Sequence, residues 1–322
     1  MEKKIDVVAL GELLIDYTPA GISSNQMFLF EQNPGGAPVN MLTVLAKNGY
    51  RTAFIGKVGK DMQGQFLRDT VKSLGIDISG LVMAEDVFTT LAFVGLSVEG
   101  ERTFSFARKP GADTKLCFKE VNENLLQETQ ILHIGSLSLT DEPARTTTFQ
   151  AVRAAKNAGA LISYDPNYRE PLWGSREEAV ERMKSMLQYV DMIKISDEET
   201  ELLTPYKDPK EAADYLLQKG IKVAAITLGA QGVLAASQKG KVVVSGFASK
   251  VVDTTGAGDS FWGGFVTKFL SFGEAPEELT LSQLEECALY GNAVASLCVE
   301  KRGGIPSIPG KEETEARLKL MV

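Results

Sequence analysis

The stretch that decides the fold is Asp253-Thr254-Thr255-Gly256-Ala257-Gly258-Asp259-Ser260. It follows a strand-like run, 241–252, and opens a helix-like run, 261–269. A turn of small residues between a strand and a helix leaves backbone N–H groups free at the start of the helix. These groups and the helix dipole together attract an anion, above all a phosphate. Gly256 and Gly258 carry no Cβ, so a ligand can approach the backbone closely.

Asp259 comes one residue after the predicted anion site. A carboxylate there would repel a static phosphate, so a binding role alone explains it poorly. It is suited to accept a proton from a hydroxyl group that attacks phosphorus. A helix N-cap is the alternative interpretation, and it is the commoner one for a bare G-x-G-D. The full string, in which two acids bracket two threonines and Gly-Ala-Gly, favours the catalytic interpretation.

Outward from this stretch, the chain alternates strand-like and helix-like runs. We predict strands over 5–10, 51–58, 131–135, 161–165, 191–195 and 223–228. We predict helices over 39–47, 61–74, 142–158, 176–189, 210–220 and 280–298. At least five such alternations predict an α/β fold, with a mostly parallel central sheet and helices on both faces.

Two runs, 89–98 and 101–107, break this rhythm, because they alternate apolar and polar residues around Glu99-Gly100. This pattern predicts a hairpin in a separate small sheet. Residues 33–38 are predicted to form a turn. With no internal repeat or linker-like segment, we expect one domain over residues 1–322, with a small β lid. The lid segments are expected near 12–34 and 88–112.

The composition limits the kind of partner. The net charge is −8 and no basic block stands out, which disfavours nucleic acid or a membrane surface. The single histidine, His133, excludes zinc sites built from several histidines and most Ser-His-Asp chemistry. Within a predicted strand, it is expected to be a core residue rather than a ligand.

The cysteines and the N-terminus indicate the compartment. Cys117, Cys287 and Cys298 are far apart and show no C-x-x-C spacing, as expected of reduced thiols in a cytoplasmic protein. The charged residues 1–6 lead directly into a strand, without the apolar region of a signal peptide. No apolar run approaches the ~18 residues of a membrane span.

Several polar residues lie where a ligand could bind. Asp16 follows the first strand and either faces a cleft or belongs to a surface turn. Arg108 ends the predicted hairpin, where it either reaches a substrate or is solvated, the commoner case. Arg169 follows the strand 161–165, and ligands of open α/β sheets bind beyond the carboxyl ends of strands. Four acids crowd the start of the helix predicted over 196–203; dipole stabilisation explains most of them but leaves a role for Glu199 open.

Three well-known motifs are absent. The sequence has no G-x-x-x-x-G-K-[ST], no G-x-G-x-x-G after the first strand, and no H-R-D or D-F-G set. These absences argue against a P-loop enzyme, a dinucleotide oxidoreductase and a protein kinase.

The sequence resembles ribokinase-like carbohydrate kinases over nearly its whole length. The patches that carry the resemblance are residues 35–40, 227–232 and 253–259. Within that family, residues 106–113 and 165–173 look most like fructokinases.

The resemblance implies a role for each matching residue. Asp259 would deprotonate a primary hydroxyl group of the sugar. The N–H groups of Gly256, Ala257 and Gly258 would stabilise charge on the transferring phosphoryl group. The residues expected to bind the sugar are Asp16, Gly35, Gly36, Asn40, Arg108 and Arg169.

The resemblance also implies ATP, Mg²⁺ and K⁺. Thr227, Gly229 and Gly232 would border the nucleotide, with Asn292 near the adenine. Lys194 and Ser196 would lie on the phosphate side, although many relatives have Asn where this chain has Ser196. Glu199 would help to place Mg²⁺, through water. The residues that resemble the potassium site are Asp253, Thr255 and Ser307.

The resulting hypothesis is phosphorylation of D-fructose at its 6-hydroxyl group by ATP. A 2-keto-3-deoxygluconate kinase is the main alternative, since Arg108 or Arg169 could hold a substrate carboxylate. Another ribokinase-like sugar or nucleoside kinase is a further alternative. A catalytically silent sugar-binding protein is an alternative of a different class, which the intact Asp259 disfavours. Apolar residues of the hairpin further suggest a homodimer through the lid: Leu91, Phe93, Phe104 and Phe106.

Overall fold

The computed structural model describes residues 3–96 and 102–321. The strands are β1 Ile5–Leu10, β2 Leu14–Ile22, β3 Phe28–Gly35, β4 Thr52–Gly59, β5 Asp77–Ala84, β6 Leu91–Leu96, β7 Arg102–Ala107, β8 Thr129–Gly135, β9 Leu161–Asp165, β10 Met192–Ser196, β11 Val223–Thr227, β12 Val233–Ser237 and β13 Gly240–Val244. The helices are α1 Ala37–Lys47, α2 Met62–Ser73, α3 Glu123–Glu128, α4 Ala144–Asn157, α5 Arg176–Met186, α6 Thr200–Leu203, α7 Pro209–Gln218, α8 Ala257–Phe272, α9 Leu281–Cys298 and α10 Lys311–Leu318.

The described residues form a nine-stranded sheet in the order β13-β12-β11-β10-β9-β8-β1-β4-β5. The strands from β11 to β5 are parallel, whereas β12 and β13 are antiparallel. The register pairs Gly135 with Asp165 and Ser196 with Thr227, so four strand ends meet at one edge. The predicted α/β class is confirmed, and ligands of such sheets bind at this edge.

The core covers both faces of the sheet. Along β1, Val8 and Leu10 belong to one buried cluster, and Val7 and Ala9 belong to the other. Successive strand side chains point to opposite faces, so a continuous apolar run such as β1 fits a sheet packed on both sides.

The small sheet has the order β3-β2-β6-β7. Its hairpin of β6 and β7 is antiparallel, as predicted, while the predicted turn at Glu99-Gly100 lies outside the described residues. The prediction of a turn over 33–38 is wrong, because β3 continues through Gly35. Cross-strand pairing with β2 extends this strand, and Asn33 Nδ2 donates to Thr18 Oγ1 at 2.9 Å. The description of this sheet as the lid of a single domain stays a prediction.

The segment before the key stretch also differs from its prediction. The strand β13 ends at Val244 rather than at residue 252. Asn292 Nδ2 donates to the carbonyl groups of Val244 and Ser245, at 3.1 and 3.0 Å, where the chain leaves the sheet. The helix α8 begins at Ala257, four residues before the predicted start. Asp259 is therefore the third residue of α8 and not its N-cap.

Across residues 3–96 and 102–321, the helices lack the combination of length and apolarity that a bilayer crossing requires.

Candidate active site

Two cavities adjoin the start of α8. The first has a volume of about 610 Å³ and lies at the carboxyl ends of the central strands. The predicted site residues that line it are Asp16, Gly36, Asn40, Arg169, Lys194, Ser196, Glu199, Thr227, Gly229, Thr255, Gly256, Ala257, Gly258 and Asp259. The second has a volume of about 650 Å³, and its lining includes Gly232 and Asn292, two predicted site residues that do not line the first cavity. Both cavities share the wall formed by Thr227, Gly229, Thr254, Ala257 and Gly258.

The shared wall is the predicted anion-binding turn. Gly256 has φ 76, a left-handed conformation that glycine adopts without strain, and it caps α8. The next residues belong to the first turn of α8, whose leading N–H groups have no partner within the helix. The positive end of a sixteen-residue helix therefore points at the junction of the two cavities.

Asp259 is held by amides from two other elements. Its Oδ2 accepts a hydrogen bond from Asn40 Nδ2 at 2.8 Å, and its Oδ1 accepts one from Asn167 Nδ2 at 3.3 Å. Burial raises the pKa of Asp259 above its ordinary value, against the lowering effects of the Asn40 hydrogen bond and the Lys194 charge. A carboxylate with a raised pKa is a better proton acceptor near neutral pH than an ordinary aspartate.

Lys194 brings a positive charge to the same wall. Its Nζ lies 3.1 Å from Asp165 Oδ2 on the neighbouring strand, and both side chains are buried. A Cβ at Gly258 would lie 2.7 Å from this Nζ, so the ammonium group rests against the turn. Burial would lower the pKa of Lys194, but the charges of Asp165 and Glu199 raise it above its ordinary value. The lysine therefore stays charged beside the anion site.

Asp16 faces the same cavity from β2. Burial raises its pKa to about 7, with Arg169 opposing this shift and Asp259 adding to it. A Cβ on Gly35 would collide with the Asp16 carboxylate, so Gly35 makes room for this side chain. The cavity lining includes Gly36 but not Gly35. Gly35 thus shapes the site through Asp16.

Arg108 lies away from the predicted contact with substrate. It is buried and absent from the cavity lining, and its guanidinium pairs with Asp113 at 2.7 Å. It also donates to Thr140 Oγ1 at 2.8 Å and to the carbonyl of Leu137 at 2.9 Å. The interpretation as a solvated arginine is wrong too, because these partners hold the side chain in the interior. Arg169, in contrast, is exposed and lines the cavity.

The surroundings of Glu199 fit Mg²⁺ held through water. Its Oε1 accepts a hydrogen bond from Tyr168 N at 2.7 Å, and its Oε2 accepts from Ser196 N at 2.8 Å and from Ser196 Oγ at 3.1 Å. The described residues contain no cluster of three or more His, Cys, Asp or Glu side chains that would hold a metal directly. Mg²⁺ usually keeps several waters and takes its other ligands from phosphates, which suits this arrangement.

The predicted potassium residues converge beside the anion-binding turn. The two oxygens of Asp253 accept hydrogen bonds from Thr255 N at 2.8 Å and Gly303 N at 3.1 Å. Ser307 Oγ donates to the Gly304 carbonyl at 2.7 Å. A Cβ at Gly256 would lie 3.3 Å from the Cα of Gly304, so this loop supports the turn directly. Carbonyl, hydroxyl and carboxylate oxygens are the ligands that a hard cation prefers.

The second cavity collects the residues predicted to border a nucleotide. Gly232 has φ 103, and a Cβ there would collide with the Val244 carbonyl. Asn292 lines this cavity, but its amide group is already bonded to backbone carbonyls, as described above. It therefore shapes the cavity by holding the loop after β13.

Three residues at the site were not assigned a role from the sequence. Asn167 contacts Asp259, Asp165 pairs with Lys194, and Glu12 accepts a hydrogen bond from Ala37 N at 2.9 Å. Residue 165 ends the predicted strand 161–165 and residue 167 follows it, so both lie where a ligand of an open α/β sheet is expected. His133 fits its expected core role: its Nδ1 lies 3.0 Å from Ser163 Oγ, and burial lowers its pKa to about 3.

The model of the pfkB family carbohydrate kinases matches residues 4–311. Fructokinase-2 of Solanum lycopersicum is 40% identical over 316 residues, covering 97% of this chain and 96% of that protein. Probable fructokinase-5 of Arabidopsis thaliana is 39% identical over 316 residues, covering 97% of both chains.

Solved structures of similar proteins contain ligands. A fructokinase double mutant from Vibrio cholerae O395, bound to fructose, ADP and potassium ion, superposes with a TM-score of 0.87 at 30% identity, covering 99% of both chains. A putative ribokinase II from E. coli, in complex with ATP and Mg²⁺, superposes with a TM-score of 0.87 at 27% identity, covering 98% of this chain and 99% of that chain.

Proposed function

Because this chain belongs to the pfkB family of carbohydrate kinases, we propose that it transfers the γ-phosphoryl group of ATP to the 6-hydroxyl group of D-fructose. The observation that carries the proposal is the position of Asp259. It lines the first cavity, while the turn that precedes it, Ala257-Gly258, forms part of the wall shared with the second cavity. A hydroxyl group in the first cavity would then lie between a base and a phosphate held at the shared wall.

The chemistry follows from this arrangement. The sugar oxygen attacks the γ-phosphorus as its proton moves to Asp259, and the bond from the γ-phosphorus to the bridging oxygen breaks to release ADP. The N–H groups of residues 256–258 and the Lys194 ammonium stabilise the charge on the transferring group. Mg²⁺, when bound, neutralises phosphate charge beyond what the protein supplies.

The charge of the first cavity favours a neutral sugar over a sugar acid. Its lining carries the carboxyl groups of Glu12, Asp16 and Asp259. A carboxylate accepts hydrogen bonds from hydroxyl groups and repels another carboxylate. Arg108 is occupied elsewhere and Lys194 pairs with Asp165 beside the anion-binding turn, which leaves Arg169 as the cation for a sugar acid. The relatives named fructokinases, and the fructose bound in the Vibrio protein, support the same choice.

A rate comparison tests this proposal. Initial rates with ATP and Mg²⁺ would be measured on fructose, ribose, 2-keto-3-deoxygluconate and nucleosides. We expect fructose to give the highest kcat/KM. A higher value for the sugar acid would overturn the choice of fructose while leaving the kinase activity in place. Omitting K⁺ from the buffer tests the potassium part of the proposal, for which we expect a lower rate.

We also propose a homodimer through the small sheet. The prediction that Leu91, Phe93 and Phe106 expose an apolar face is wrong, because these side chains are half-buried; the Phe104 side chain lies outside the described part. The exposed apolar side chains of this sheet lie instead on and beside β3: Ile22, Met27, Phe28, Leu29 and Phe30. Sedimentation equilibrium tests this, with a mass of twice 34.9 kDa expected.

A cytoplasmic location stays a prediction, in keeping with three free cysteines.

A further inference from the structure

Asn167 lies in an unusual backbone conformation at the edge of the first cavity. It follows β9 by two residues and has φ 48, in the left-handed region. Gln26 is the other non-glycine residue with positive φ in the described part of the chain. Asparagine tolerates this region better than most residues do, but the conformation still costs free energy, so the surroundings must hold it.

The left-handed turn brings the Asn167 side chain onto Asp259. Its Nδ2 donates to Asp259 Oδ1 at 3.3 Å, while Asn40 Nδ2 holds Oδ2 at 2.8 Å. The two amides come from different elements, the loop after β9 and the helix α1. A carboxylate bonded at both oxygens from two directions is restricted in its rotation.

The segment 165–167, which contains Asn167, also contacts the side of the site where the cation Lys194 lies. Asp165, at the end of β9, pairs with Lys194, which rests against Gly258. The segment 165–167 therefore touches both charged side chains that flank the anion-binding turn. Pro166, in the middle of the segment, restricts the backbone φ there.

We propose that Asn167 is a positioning residue for phosphoryl transfer. Its amide group fixes the Asp259 carboxylate in the orientation that accepts the sugar proton, and the left-handed backbone keeps the amide in place. This inference depends on the proposed role of Asp259 as the base. It goes beyond that role, because it assigns a task to a residue that need not contact the substrate.

A hydrogen bond to the ionised carboxylate also affects its protonation. An N–H donor stabilises the charged form more than the neutral form, so its removal raises the pKa of the acid. Other charged or titratable groups that act on Asp259 come from several elements: Asp16, Asp165, Arg169, Lys194, Glu199 and Cys298. The substitution of Asn167 by glycine changes none of these groups, so a shift in that variant can be assigned to the lost amide, whereas Asn167→Asp adds the repulsion of a second carboxylate.

Two substitutions separate the amide from the backbone. Asn167→Gly relieves the positive φ and removes the side chain, whereas Asn167→Asp keeps the shape and removes the donor. Gln26→Gly is the matched control, because it relieves positive φ at an exposed position in the loop between β2 and β3. For each variant, kcat and the sugar KM would be measured from pH 5 to 9, with thermal unfolding to check the fold.

We expect kcat to fall by about 10- to 100-fold in both Asn167 variants, with the sugar KM changed by less than about threefold, since misplacement of a reacting group acts on the chemical step. The acidic limb of the pH profile should move up by about one unit. Gln26→Gly should match the wild type.

Two results would overturn the inference. One is a wild-type kcat in Asn167→Gly, which would show that the Asn167 amide group is not needed and that position 167 acts only through its backbone. The other is a raised sugar KM with unchanged kcat, which would mean that Asn167 binds the sugar. If Asn167→Asp fails to fold because two acids meet, the glycine variant decides alone. Full turnover in Asp259→Asn would instead refute the proposed function, so the two failures are distinguishable.

Discussion

Asn40 Nδ2 lies 2.8 Å from Asp259 Oδ2, although 219 residues separate them in the chain. The contact joins the first turn of α1 to the first turn of α8, and it occurs beside a left-handed Gly256, where a Cβ would lie 3.3 Å from the same amide. From the sequence, Asn40 is expected to bind the sugar. The structure adds a bond to the proposed base, so Asn40 can orient Asp259 as well.

Replacing Asn40 should therefore impair the chemical step. Asn40→Ala removes a donor from the buried Asp259 carboxylate, which raises its pKa and frees its rotation. We expect kcat to fall at least about 10-fold and the acidic limb of the rate profile to move to higher pH. Asn48→Ala, in the C-cap of the same helix, is the control: its amide bonds Val44 O, and we expect it to lower stability without changing kcat. Equal kcat in the two variants would contradict this role of Asn40.

A methyl group at Gly258 should disrupt the anion-binding turn. In Gly258→Ala, the new Cβ would lie 2.7 Å from Lys194 Nζ, so the lysine or the turn must move. We expect kcat to fall about 100-fold with little change in the sugar KM, because sugar and phosphate sites differ. Gly310→Ala offers a control, since its Cβ would meet nothing closer than 3.8 Å. Wild-type rates for Gly258→Ala would show that the turn does not contact the transferring group.

The two arginines should separate stability from binding. Arg108→Met leaves the buried Asp113 without its ion-pair partner, which typically costs about 3–5 kcal/mol of unfolding free energy. Arg169→Met removes an exposed side chain, so the unfolding free energy should change by less than about 0.5 kcal/mol, while the sugar KM changes. Urea unfolding and steady-state kinetics measure both quantities. If Arg108→Met is as stable as the wild type and its sugar KM is raised, Arg108 contacts the substrate as the sequence predicts.

The raised pKa of Asp16, about 7, predicts a pH dependence of sugar binding. The ionised form accepts hydrogen bonds from hydroxyl groups, so kcat/KM for the sugar should fall as the pH drops below about 7. The effect on stability has the opposite sign. The folded state holds the Asp16 proton more tightly than the unfolded state, so the stability that this proton contributes is complete below about pH 4 and is lost as the pH rises through about 7.

The measurement is the pH profile of kcat/KM for the wild type and for Asp16→Asn, with unfolding at each pH. Asp16→Asn should bind the sugar weakly at every pH. Any fall of kcat/KM at low pH that this variant still shows is then due to protonation of Asp259. A wild-type profile that is flat from pH 5 to 8 would contradict the assignment of Asp16.

The sequence predicted the local features of this site and missed those that depend on long-range contacts. The string 253–260 predicted the strand-to-helix turn, because its glycines and its acid act over a few residues. The bond from Asn167 to Asp259 joins residues 92 positions apart, and no local pattern encodes such a contact. Arg108 shows the same limit: its position after a strand was visible, but its burial depends on Asp113 and on the distant carbonyl of Leu137.

The segment 33–38 illustrates a different difficulty. Asn, Pro and Gly residues are typical of turns, so the pattern favoured a loop. Pairing with β2 overrides this preference: Asp16 lies opposite Asn33 in the register, and Leu14 opposite Gly35. The strand β2 itself contains Pro19 and Gly21 and shows a register shift between them, which hides it from an alternation pattern.

The most direct test of the account is the substitution Asp259→Asn, which keeps the shape of the side chain and removes its capacity to accept the proton. Calorimetry with fructose and steady-state kinetics with ATP and Mg²⁺ would be carried out on the same preparation. We expect fructose to bind within about threefold of the wild-type Kd, while kcat falls by at least about 100-fold. Near-wild-type turnover in Asp259→Asn would contradict the assignment of this carboxylate as the base.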